Sequence, residues 1–347
     1  MKSCGRRHAL GCGHCRMATV SWLDYRLKTL AERTRRPHHS SNMPGVRERI
    51  QLPAGHSMRV LRWEKSVRDV WLVLSPYRSI RFNGEGAHWH YHQALELTVF
   101  TSGHGTRFVG DSIETFEAGD LVLLGENLPH YWHALGATAG ISVQWHFPEG
   151  HPFWAFPETQ NTSECFSAAR RGLRFSGAAA HSLTGLLQQL CKVEGINRLA
   201  LLLRILGAIV GAPEKDREYL SKQPFSLAPE WRHQTAMRSA IRFLVANFRD
   251  DIRLRQLLEV TGMSKATFSR QFRLHAGKPM GRFLQQIRLE AACRELTRTE
   301  RPIIDIALAS GYSEVSFFNR VFRRSLGCNP SQYRRRNRKK MARSISP

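Results

Sequence analysis

Acidic residues are scarce in this chain of 347 residues: 28 Asp and Glu face 52 Lys and Arg, for a net charge of +24. An imbalance of that size implies a polyanionic partner. Cysteine is scarce too. Seven irregularly spaced cysteines are too few for a disulfide scaffold at this length, and Cys165, Cys191, Cys293 and Cys328 read as buried thiols in a reducing cytosol. Long hydrophobic runs are absent. The longest, Leu199 to Ala212, is broken by Arg204, which excludes a transmembrane helix there. The amino terminus has basic residues but no apolar segment behind them, so it is not a secretory signal. No Ser/His/Asp or Cys/His arrangement and no phosphate-cradling glycine loop is found, and the expectation is that the protein is not an enzyme. The apolar fraction of 42% and charged fraction of 23% are those of a folded protein.

The charge is unevenly placed. Residues 231–347 hold 25 Lys and Arg against 8 Asp and Glu, whereas 51–230 hold 16 against 17. A near-neutral middle is therefore followed by a strongly basic end, and self-repulsion of that kind is tolerated when phosphates neutralise it. Residues 1–50 read as a polar, disordered extension. Its Cys12-x-x-Cys15 pair has no second pair at zinc-finger spacing.

Residues 51–160 show short apolar alternations, among them Val70–Leu74, Leu95–Phe100, Thr106–Val109, Asp120–Leu124 and Ile141–Phe147, separated by glycines. That spacing, with no helical period between, predicts a small β-sandwich or barrel. Seven of the sixteen histidines lie between 88 and 146. On a strand, His90, His92 and Glu96 share one face. The segment Gly119-x5-Gly125-x-Asn127-x2-His130 can bring a third imidazole to them. Trp132, with Trp89, Tyr131 and Trp145, is a candidate for stacking on a flat ligand. Residues 161–212 then carry two leucine stripes of helical period parted by Gly195, predicting helices that cap the barrel or form a dimer interface. Residues 213–232 read as a proline-rich linker.

The stretch 233–336 contains an approximate repeat. Leu257 to Arg273 and Ile306 to Arg323 each read as helix, tight turn and helix, with Gly262 and Gly311 in the turns and Ser264 and Ser313 as caps. The spacing between copies is 49 residues at the glycines and 50 at the later Arg and Phe positions, so the second copy has one residue inserted. Phe268 and Phe272, like Phe318 and Phe322, lie four apart and anchor each second helix, leaving Arg270 and Arg320 outward. The basic cluster at 334–340 opens the tail at 337–347.

Two resemblances follow from these motifs. His90-x-His92-x3-Glu96-x6-Gly103 and the Gly119–His130 segment resemble the two motifs of the cupin superfamily, the first closely and the second in part. Gly125, Asn127 and Ala134 stand where that family has Pro, Gly and Asn. The resemblance implies a barrel holding one divalent metal on His90, His92, Glu96 and His130; a metal-free polar pocket for a small effector, lined by the same residues and Trp132, is the alternative.

Residues 237–336 resemble the AraC/XylS type of DNA-binding domain over its whole length, on Gly311-Tyr312-Ser313…Phe318…Arg320-Val321-Phe322-Arg323…Gly327…Pro330…Tyr333-Arg334. The fold class expected is α+β multidomain, a cupin-like β-barrel followed by an all-α domain with two helix-turn-helix motifs. The resemblance implies seven helices, with Ala266, Ser269, Arg270, Val315, Ser316, Asn319 and Arg320 facing bases and Lys265, Arg273, Arg323 and Arg324 on phosphates. It also implies a cytoplasmic bacterial regulator that senses a small metabolite such as a sugar. Its expected partners are promoter double-stranded DNA, a second copy of the chain and RNA polymerase, with no membrane. The rival readings are a metal-dependent cupin isomerase or dioxygenase with a basic tether, and a metal-sensing regulator.

Overall fold

The computed structural model describes residues 48, 50–83, 85–225 and 233–345, with side chains of the last helix described up to Arg338. The expected extension at 1–50, apart from Glu48 and Ile50, lies outside the described residues, as do 226–232 of the expected linker and the side chains of the tail beyond Arg338.

Eleven strands form two sheets among the described residues. They are β1 (Met58–Trp63), β2 (Val70–Ser75), β3 (Arg78–Phe82), β4 (Leu95–Ser102), β5 (Gly105–Val109), β6 (Ser112–Phe116), β7 (Leu121–Leu124), β8 (His130–Ala134), β9 (Ala139–Trp145), β10 (Leu173–Phe175) and β11 (Arg217–Tyr219). The larger sheet runs in the order β11-β10-β7-β4-β9-β1-β2-β3 and the smaller β6-β5-β8. The expected closed barrel is not found. The small sheet pairs only within itself, and a single isolated bridge, His90 with His130, joins its β8 to the segment before β4. Pairing through one bridge leaves the sheets open, facing each other across a shared core of Trp63, Phe100, Val122, Leu124, Phe116 and Trp132.

At its centre, in β4, β7 and β9, both faces of the large sheet are buried, and the period of two sorts its residues. Leu95, Leu97 and Val99 of β4, and Ile141, Val143 and Trp145 of β9, face a cluster containing the leucines of two helices. These are α2 (Gly177–Leu190) and α3 (Gly195–Val210), which follow the short α1 (Thr162–Ala168). Leu183, Leu186, Leu187 and Leu190 of α2 are the buried stripe that the helical period marked, but on α3 the stripe expected at Leu199, Leu202, Leu203, Leu206 and Val210 is turned: Leu201, Leu202, Ile205, Leu206 and Ile209 are buried and Leu203 is exposed. The connector thus caps the outer face of the sheet. The segments expected to be purely helical connector and linker also supply β10 and β11, which extend the sheet beyond β7. Three residues are too few to show alternation in a sequence. Leu220 and Phe225 of the expected linker are buried as well.

Seven helices make up the rest of the described chain: α4 (Gln234–Asn247), α5 (Leu254–Thr261), α6 (Lys265–Ala276), α7 (Met280–Arg298), α8 (Ile303–Ala309), α9 (Val315–Leu326) and α10 (Pro330–Ile345). They form two halves, one on each side of α7. Phe283, Leu284 and Ile287 of α7 pack with Met237, Leu244, Phe268 and Phe272, while Leu289, Ala292, Cys293 and Leu296 pack with Ile306, Tyr312, Phe318 and Phe322. All four anchoring phenylalanines are at most 1% exposed.

The two turns differ in one respect. Ser264 caps α6, its hydroxyl accepting from the Thr267 N–H at 3.3 Å. Ser313 does not cap α9 as expected, because the inserted residue places Glu314 at that position, without a side-chain cap.

Candidate nucleic-acid interface and buried polar pocket

Burial of one face of α6 and α9 dictates what the other presents. Ala266, Ser269 and Arg270 on α6, and Ser316, Asn319 and Arg320 on α9, are exposed; Val315 is half-buried. Lys265, Arg273, Arg323 and Arg324 are exposed beside them. None of these six cationic side chains pairs with a carboxylate among the described residues, so no described residue neutralises their charge. The Arg320 guanidinium sits 5.6 Å from the centroid of Phe317, itself 39% exposed, which steadies a long side chain at the surface. The Ser316 hydroxyl donates to Glu314 at 3.5 Å.

Between the sheets, the structure brings His90, His92, Glu96, His130 and Trp132 together, all buried. The three imidazoles share one arrangement. Nδ1 of His90 donates to the His88 carbonyl at 2.7 Å, Nδ1 of His92 to Ala94 at 2.9 Å, and Nδ1 of His130 to Leu128 at 2.8 Å. Their outer nitrogens are thereby turned inward, and one ligand atom from each lies within 4.8 Å of the others. Nε2 of His130 has no hydrogen-bond partner. Nε2 of His92 lies 3.1 Å from Glu96 Oε2 while its Nδ1 already faces a carbonyl, so both ring nitrogens meet acceptors. That separation is also the one that adjacent ligands of an octahedral ion at ~2.1 Å would have, about 3 Å. The donor set therefore fits a divalent metal.

Burial, followed for His90 by a balance of Glu48 and His92 and for His130 by the repulsion of His90, holds both imidazole pKa values below the ordinary range. Neutral imidazoles are what a metal or a hydrogen-bonding ligand needs. Burial opposes ionisation of Glu96, but the hydrogen bond from His92, helped by that from the Thr98 hydroxyl, outweighs it and keeps the carboxyl well below its usual range. The chain turns beneath the cluster at Asn127, whose φ of +56° Asn tolerates better than most residues.

The cleft over this cluster has a volume of about 60 Å³, with Leu61, Trp63, Val70, Phe82, Phe100 and Trp132 as its apolar walls. Its polar floor includes three residues that the sequence pattern did not single out: Glu48, Arg59 and Gln144. Arg59 donates to Gln144 and to Glu48, and Gln144 donates to Glu96. An Arg inside an apolar strand, at the parity that faces the second sheet, was the available signal.

Trp89, Tyr131 and Trp145 do not line this cleft. Each is neighbour to a pocket residue along an extended segment and so points to the other side. Trp145 packs under the capping helices. Trp89 and Tyr131 instead meet the helical half of the chain. Trp89 lies 6.4 Å from Phe108 and 6.3 Å from Phe283 of α7, and Tyr131 stacks on Phe108 at 5.5 Å, ring centroid to centroid. The Tyr91 hydroxyl accepts from Gln234 of α4. Farther along α7, Gln286 donates to the Ile113 carbonyl at 2.9 Å, Arg294 to the Thr106 hydroxyl at 3.0 Å, and Arg298 to Glu117 at 2.8 Å. The segments that hold the histidines are therefore the same ones that touch α4 and α7.

Comparison with known proteins places these features. Residues 257–336 match the family model described as a helix-turn-helix domain. The regulatory protein SoxS of Salmonella typhimurium is 36% identical over 104 residues, covering 30% of this chain and 97% of SoxS. Among solved structures, the C-terminal domain of AraT, a response regulator from Geobacillus stearothermophilus, is 31% identical. That match covers 30% of this chain and 88% of that one, with a TM-score of 0.29. ToxT from Vibrio cholerae is 15% identical over 80% of this chain and 97% of its own, with a TM-score of 0.31. No helix among the described residues is long and apolar enough to cross a membrane.

Proposed function

The chain belongs to the AraC family of helix-turn-helix transcriptional regulators, whose members are not enzymes, and from that premise we propose that it reads promoter DNA through α6 and α9 under the control of a small molecule bound between the sheets. The observation that carries the reading is the pair of exposed, unneutralised basic helices set on either side of α7. Arg270 and Arg320 pair with guanine and Asn319 with adenine, Val315 meets a thymine methyl, and the small Ala266, Ser269 and Ser316 let the backbone approach. Lys265, Arg273, Arg323 and Arg324 bind phosphates and set register.

The cupin-like pocket is the effector site in this reading, with His90, His92, Glu96, His130 and Trp132 in contact with the ligand. Its signal passes to α4 and α7 through Trp89, Tyr91 and Tyr131, because a shift of either pocket segment moves residues on both of its faces. Ile196, 76% exposed, and Leu203, 47% exposed, give α3 an apolar outer face suited to a second copy of the chain. RNA polymerase is the further partner, and the cytoplasm the place of action. A footprint on the DNA upstream of its own gene, surviving near-physiological salt while scrambled DNA is released, is the expected result. Equal, steeply salt-dependent binding to both DNAs would reject sequence-specific reading.

A second reading makes a divalent metal the effector or its anchor. The inward convergence of the three imidazoles, with Glu96 Oε2 3.1 Å from Nε2 of His92, favours it.

A further inference from the structure

We propose that the Glu48 carboxylate occupies, from within the chain, the subsite in which this pocket takes the carboxylate of an organic acid, so that the effector is an anion with an apolar body and not a neutral sugar. The proposal deepens the effector reading above and rests on it.

Arg59 stands on β1 between Met58 and Val60, and only 3% of it is exposed. A buried guanidinium needs an anion, because its desolvation is otherwise uncompensated. Glu48 is that anion: one carboxylate oxygen accepts from Arg59, and the other lies 3.6 Å from Nε2 of His90. Glu96, in turn, accepts from Gln144 and Thr98. Glu48 alone among the charged groups lining the described cleft comes from outside the strands and the histidine segment.

Its attachment is slight. Glu48 precedes β1, and its backbone is tied to the sheets by a bond from its N–H to the Tyr91 carbonyl at 3.1 Å. A carboxylate that enters the cleft from outside the sheets is replaceable by a free one whose apolar body fills the remaining cleft, walled by Leu61, Trp63, Val70 and Phe82. Replacement also has a consequence for DNA binding. Tyr91 is the residue whose side chain accepts from Gln234 of α4, so release of Glu48 frees the backbone of the segment that touches the first DNA-binding helix.

Chemical rescue of the full-length protein tests this with acetate as the carboxylate probe and acetamide as its neutral isostere. Glu48→Ala is expected to lower Tm by about 5–10 °C, since it strands a buried Arg. Acetate at ~100 mM is expected to restore at least half of that loss, acetamide none, and the gain is expected to vanish in Glu48→Ala/Arg59→Gln. Glu48→Gln, which keeps the shape, is expected to gain more from acetate than wild type does. An undiminished Tm in Glu48→Ala would overturn the proposal. So would acetate acting no better than acetamide, or rescue that survives loss of Arg59. Footprints of the same variants, read in parallel, separate the two ideas: a failed rescue with an intact footprint rejects the subsite and leaves the DNA reading standing.

Discussion

Gly262 and Gly311 occupy equivalent places in the two copies of the repeat, yet their replacement by Ala is expected to cost very different amounts. Both have positive φ, +65° and +89°, so each Ala pays the left-handed penalty of about 1–2 kcal/mol, less a few tenths regained from the unfolded chain. At Gly262 a Cβ meets nothing within 4 Å, and the cost stays near ~1 kcal/mol. At Gly311 a Cβ would lie 2.7 Å from the Phe248 carbonyl oxygen, 2.8 Å from Nε of Arg288 and 2.9 Å from the Cα of Arg249. Those first two atoms are themselves bonded, Arg288 Nε donating to the Phe248 carbonyl at 2.7 Å. The methyl must push a hydrogen bond with a charged donor apart, which adds about 1.5–3 kcal/mol. Gly311→Ala is therefore expected to lose about 2.5–4 kcal/mol in urea unfolding, against about 1 for Gly262→Ala. Asn should be accepted at 262 and not at 311. Equal losses at the two sites would refute the reasoning, because they would mean that the second turn is not seated on the end of α4.

Arg320→Ala is expected to weaken cognate DNA binding by about 1–3 kcal/mol and leave scrambled DNA unaffected, whereas Arg323→Ala should weaken both and lower the salt slope by ~1, measured by anisotropy titration; the reverse pattern would exchange their roles. Burial, then the charge of Glu114, raises the pKa of Glu290 on α7 to about 7. The folded state therefore holds a proton that the unfolded state releases near its ordinary value of 4.5, and the stability so gained is complete below that pH and lost as pH rises through 7. His90, His130 and His275, with lowered values, act in the opposite sense, so the quantity to measure is wild type minus Glu290→Gln; it should fall by about 3 kcal/mol between pH 4.5 and 7.5, and a flat difference rejects the assignment. Protein stripped with a chelator should take up one equivalent of Zn²⁺ or Ni²⁺ by calorimetry and His92→Ala none; no uptake by wild type would leave the pocket metal-free.

Much of this protein is legible without coordinates because its signals are local. Leucines three and four apart mark α2 and α3, and paired phenylalanines with a turn glycine mark each helix-turn-helix, since a helix needs only its own residues to reveal which face it buries. His90, His92 and Glu96 do converge, but not as one strand: only Glu96 lies on β4, and bends at 93 and 94 part it from the two histidines. The one-residue insertion was visible as well, though its effect on the cap of α9 was not.

What the tertiary structure decided concerns partners that are far apart in the chain. β10 and β11 exist because β7 offers an edge to pair with, and the sheets stay open because a single bridge joins them. Which aromatic residues line the pocket and which reach α7 depends on where the second sheet and the helices lie, and composition carries no record of that. Glu48, Arg59 and Gln144 are separated by up to 96 residues and meet only because β1 lies against β9. Periodicity reports which way a side chain faces relative to its own element; what it faces is set by packing between elements, and there the charge network of the pocket and its link to α4 arise.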